Sequence, residues 1–169
     1  MKIFVFTVAL FCSVLVAQEM KWKHFKLKSS NLNGWNVKEY PGGSSWDDAK
    51  NEWCSCAALY FFKNWKNKKL CVLVYPTLYS LDSAKYHYAG AMKFIPVEKY
   101  EQIRNKNFSF KKERSEWNNG SGKKFDAIRY TARKEKTTYI IYTWAETPEM
   151  MDPDTEKELY ALVNSLEPL

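Results

Sequence analysis

The side chains best suited to chemistry in this 169-residue sequence are thiols and imidazoles. Cys54 and Cys56 stand one residue apart in NEWCSCAALYFF, and Cys71 follows in LCVLVYP. A zinc site needs more ligands than this pair supplies, and neither His24 nor His87 lies at a metal-ligand spacing from the cysteines. In an extended strand Cys54 and Cys56 share a face with Ala58, Tyr60 and Phe62. A hairpin turning at Lys66-Asn67 then sets Cys71 opposite Phe62. Cys56 lies six residues further along, roughly 20 Å at about 3.3 Å per residue, beyond the roughly 7 Å limit for bridged Cα atoms. Buried thiols are therefore the preferred reading for Cys54, Cys56 and Cys71. A bridge through Cys54 or Cys56 ranks second, because exported thiols tend to oxidise, and metal or redox chemistry ranks third.

Other catalytic constellations are not apparent. No nucleophile motif accompanies either histidine, and there is no phosphate-cradling glycine loop or calcium loop. Asp47, Asp48 and Glu52 in WDDAKNEW read as charges near the start of a helical turn capped by Ser45. The expectation is a non-enzymatic protein with no cofactor and no metal site. The most suggestive binding feature is the tip KNWKNKK, in which Lys63, Lys66, Lys68 and Lys69 surround Trp65. A solvated turn is the ordinary reading of such a segment. An aromatic residue among lysines also suits an interface with a protein or an anionic envelope component.

The opening MKIFVFTVALFCSVLVA has a positive start, an apolar run and a small residue at Ala17. That pattern predicts a signal peptide over 1–17, and hence a secreted or periplasmic protein. Residues 18–169 are then a single domain without a transmembrane segment. The formal net charge is +7, and the composition is 46% hydrophobic and 17% aromatic, which makes disorder a poor explanation for the whole chain. Outside the cytoplasm such a charge favours anionic surfaces or acidic proteins over nucleic acid.

The elements that must position these residues alternate between strands and helices. WKHFKLK and GWNVKEY read as short strands, and CSCAALYFF and LCVLVYP as a hairpin. Ser80 caps a helix predicted to run to about Lys93, and VEKYEQI a further short one. FSFKKERSEW, KKFDAIRYTA and TTYIIYTWA form a second set of strands, with Asn119-Gly120 at one turn. A last helix starts at Asp152-Pro153 and presents Leu159, Leu162, Val163 and Leu166 as one stripe. The expected fold is α+β, a mostly antiparallel β-sheet with helices packed on it. Asn107 and Asn119 open glycosylation sequons relevant only in a eukaryotic host.

The order of GWNVKEYPGG, ALYFF…LCVLVYP, YSLDSA, FDAIRYTA and TYIIYTWA, ending in KELYALVNSLEP, resembles the PsbP-like family. The resemblance spans roughly residues 22–168 and implies an exported α/β/α sandwich acting as a binding or assembly factor. It implies no site residues. NGWNVKEY also looks like the Gly-x-Trp start of a lipocalin, though Gly34 and Trp35 are adjacent here, so a lipocalin-like β-barrel is the alternative fold. The preferred function is an exported binding or assembly domain that uses a basic, aromatic-bearing surface. A small-ligand carrier with an aromatic pocket is the alternative, and a thiol- or metal-binding protein a weaker one.

Overall fold

The computed structural model describes residues 19–40, 44–47, 52–55, 58–77, 94–96, 99–118, 124–147 and 149–169. The chain begins with a hairpin of β1 (Glu19–Trp22) and β2 (Phe25–Lys28). Phe25 and Leu27 are buried, as their alternation with lysines predicts, but WKHFKLK is not one strand. The chain reverses at Lys23, whose φ of 47° is left-handed, so His24 lies in a turn. A short 3-10 helix over Ser29–Leu32 leads to Gly34, at a φ of 76° that glycine adopts without a steric cost.

The large sheet contains β3 (Asn36–Tyr40), β6 (Ala58–Trp65), β7 (Lys68–Thr77), β12 (Thr137–Ala145), β11 (Lys124–Lys134), β10 (Ser109–Asn118) and β8 (Phe94–Pro96), in that spatial order. An eighth strand, β9 (Glu101–Arg104), pairs with the early part of β10. Every pairing is antiparallel. The β6–β7 hairpin turns at Lys66-Asn67, with φ values of 45° and 63°, and sets Phe62 opposite Cys71 as expected. β10 and β11 pair from Asn118–Lys124 onward, while the Asn119-Gly120 turn lies outside the described residues.

One face of this sheet carries α1 (Pro153–Asn164) and a three-stranded sheet in which β2 lies between β1 and β13 (Glu167–Pro168). Asp152 caps the helix by accepting from the Thr155 N–H at 2.8 Å, and Pro153 occupies its first turn. Leu159, Leu162, Val163 and Leu166 are all buried, and they join Phe25, Phe61, Val72, Ile128, Tyr130 and Ile141 in one core. The other face carries a second buried cluster, with Leu73, Tyr75, Ala127, Ile140 and Tyr142. The fold is thus a mostly antiparallel sheet with a helix packed on it.

Four expectations need correction. The sheet is open, with β3 at one edge and β8 and β9 at the other, so the described strands do not close into a lipocalin-like barrel. Ser45 does not cap a helical turn in WDDAKNEW, because it lies within a strand; residues 48–51 lie outside the described residues. β4 (Ser44–Asp47) and β5 (Glu52–Ser55) form a two-stranded ladder that pairs Trp46 with Trp53. Cys54 therefore belongs to β5, not to the strand that carries Tyr60 and Phe62. VEKYEQI does not form a helix through its second half either, where β9 extends the edge of β10. Asn105 decides this locally: its side chain accepts from the N–H groups of Asn107 at 2.8 Å and Phe108 at 2.7 Å, which turns the chain into β10. The helix predicted from Ser80 to Lys93, with His87, and the signal peptide over 1–17 lie outside the described residues.

Candidate functional site

The lysine-rich tip is a tight turn between two long strands, so alternation sends its side chains to opposite sides. Lys63 points toward α1. It is almost fully buried, forms an ion pair with Glu158, and lies 4.7 Å from the Trp35 ring centroid. Trp65 is half-buried rather than exposed and packs against the core, with the Lys66 ammonium 4.4 Å from its ring centroid. Residues 64–69 together with Glu146 line an open cleft of about 630 Å³. Four of the five predicted surface residues (Trp65, Lys66, Lys68 and Lys69) therefore meet in one place.

Each lysine of the tip meets an acid supplied from elsewhere in the chain. Lys66 reaches Asp154 at 2.9 Å, Lys68 reaches Asp152 at 2.5 Å, and Lys69 reaches Glu146 at 2.8 Å. The Lys68 ammonium and the Thr155 N–H and hydroxyl hold the Asp152 carboxyl well below the usual range. Glu146 in turn raises Lys69. On the far flank of α1, Arg114 spans Asp126 at 2.6 Å and Glu156, and Lys112 adds a contact to Glu156 at 2.7 Å. The acids at the start of α1 are thus gripped from β6–β7 on one side and β10–β11 on the other. Nothing in the sequence spacing announces most of these pairs, which join residues from 42 to 95 positions apart; Arg114 and Asp126, 12 apart on neighbouring strands, are the exception.

Cys71 sits beside this cleft on the opposite sheet face from α1. It is a buried free thiol. Its sulfur lies 2.9 Å from the Tyr60 hydroxyl and donates toward Glu146 Oε1 at 3.7 Å. Tyr60 stacks between Phe62 and Trp144, with centroids 5.3 and 5.9 Å away. Burial pushes the thiol up to about 12, against the opposing hydrogen bond from Tyr60, and burial also raises the Tyr60 hydroxyl. A thiol held protonated in this way is a poor nucleophile and a poor metal ligand. The environment of Cys54 and Cys56 lies outside what is described. Among the described residues no group of three or more His, Cys, Asp or Glu side chains is placed to hold a metal ion.

Two aromatic residues of β12 belong to the buried clusters. Tyr139 is buried on the α1 side and donates to the His24 carbonyl at 2.6 Å, while Tyr142 is buried on the other face. Asn107 donates its amide to the Leu166 carbonyl at 3.0 Å, so its side chain already has a structural role. A second open cleft, of about 410 Å³, lies against α1 between Ile103, Tyr130 and Tyr160.

In comparisons with known proteins, the chain matches no family model and no curated relative.

Proposed function

We propose that the protein is an exported, non-enzymatic binding domain that recognises a protein partner with the tip of the β6–β7 hairpin. The observation that carries this reading is the cleft lined by Trp65, three lysines and Glu146, with Asp152 and Asp154 paired to two of those lysines. Its outermost pair, Lys66–Asp154, is 61% and 72% exposed, so it stabilises the fold by less than about 1 kcal/mol. Carboxylates of a partner can replace Asp154 at little cost, while the Trp65 ring supplies apolar contact area. Because the tip's charges are already matched, recognition here depends on geometry more than on net charge. The finer fold assignment, a PsbP-like α/β/α sandwich acting in assembly, belongs to the same proposal. It is supported by buried clusters on both faces of the large sheet.

The test is capture from the exported fraction of the source cells, with a photo-crosslinking residue in place of Asn67. One discrete adduct, lost in K66E/K69E, is the expected result. Unchanged recovery by that variant, or no adduct at all, overturns the proposal.

A further inference from the structure

A cluster of positive charge without ion-pair partners among the described residues lies at the end of the sheet opposite the tip. Three turns meet there: Lys23-His24 between β1 and β2, 105–108 between β9 and β10, and 135–136 between β11 and β12. They are tied together by the Tyr139 hydroxyl on the His24 carbonyl at 2.6 Å, by the Asn107 amide on the Leu166 carbonyl, and by Phe108 against Tyr139 with centroids 4.9 Å apart. These turns and the strand ends that flank them carry Lys23, Arg104, Lys106, Arg133, Lys134 and Lys136, all exposed. None of the six forms an ion pair among the described residues, and Glu135 is the one acid within the 135–136 turn. β12 separates this end from the tip by roughly 26 Å at about 3.3 Å per residue. That is about three Debye lengths at physiological salt, so the acids around the tip do not neutralise it.

We propose that this end docks on an anionic lipid bilayer. The six cations come from three separate hairpin ends and converge on no described cleft, an arrangement that suits an extended plane of charge better than a discrete ligand. Trp22, half-buried in the same end with the Lys23 ammonium 4.8 Å from its ring centroid, adds the amphipathic ring favoured at headgroup level. Arg133 donates from Nε to the Glu135 carbonyl at 3.3 Å, which leaves its two terminal amino groups to face phosphates.

Co-sedimentation of the purified chain with vesicles of two parts phosphatidylcholine to one part phosphatidylglycerol tests the proposal, against vesicles of phosphatidylcholine alone. Binding is expected only to the anionic vesicles and is expected to weaken with salt. Each cation removed lowers the partition coefficient about fivefold, so R133Q/K134Q/K136Q lowers it about a hundredfold. A thermal midpoint like that of the parent chain confirms that this variant is folded. K66E/K69E keeps its vesicle binding, which separates this surface from the tip. Equal binding to both vesicles, or full binding by the triple variant, overturns the proposal. So does retention on immobilised polyglutamate without vesicle binding, which would make the partner an acidic protein.

Discussion

The protected state of Cys71 can be read directly as a rate. Only the thiolate reacts with iodoacetamide, and burial lifts this thiol from about 9 to about 12. Three pKa units leave about a thousandfold less thiolate near neutral pH than an ordinary thiol has, before restricted access is counted. Native alkylation at Cys71, followed by peptide mass spectrometry, is therefore expected to run at least a thousandfold slower than in urea. Glu146→Gln removes a carboxylate that opposes the thiolate and leaves Lys69 beside it, so the native rate rises. Tyr60→Phe removes a hydroxyl that stabilises the thiolate, so the rate falls further. The same shift makes the fold alkali-sensitive. Its stabilising contribution is fully present below about pH 9 and is lost as pH rises through about 12, with a ceiling of about 4 kcal/mol. The raised hydroxyls of Tyr130 and Tyr142 act in the same direction. A native Cys71 rate within tenfold of the unfolded rate would refute the reasoning, as would stability that does not fall above pH 9.

Two further predictions concern the frame that holds the site. Arg114→Met strands two carboxylates at a position where the arginine side chain is only 14% exposed, and urea unfolding is expected to show a loss of about 2–3 kcal/mol. Lys112 and the Met151 N–H still serve those carboxylates, so a loss above about 5 kcal/mol would contradict this account as much as one below about 1. At Asn67, the left-handed φ of 63° favours glycine, so Asn67→Gly is close to neutral while Asn67→Ala costs about 1 kcal/mol. Equal midpoints for the two variants in urea would show that the turn carries no such preference.

Much of the local structure was legible in the residues themselves. The Lys66-Asn67 turn, the Phe62–Cys71 register, the antiparallel set from β10 to β12 and the capped start of α1 all follow from short-range rules. Side-chain alternation, turn chemistry and capping act within a few residues, so a sequence displays them directly. The same locality explains the errors. Asn105 outweighed a weak helical tendency in VEKYEQI, and WDDAKNEW found a strand partner within its own segment. Composition also showed a surplus of positive charge, but not where that surplus lies. Only the tertiary structure decided that the lysines around Trp65 are matched by Glu146, Asp152, Asp154 and Glu158, and that six cations without such partners gather at the opposite end. The physical reason is range: an ion pair needs its partners within about 4 Å in space and sets no condition on their separation along the chain.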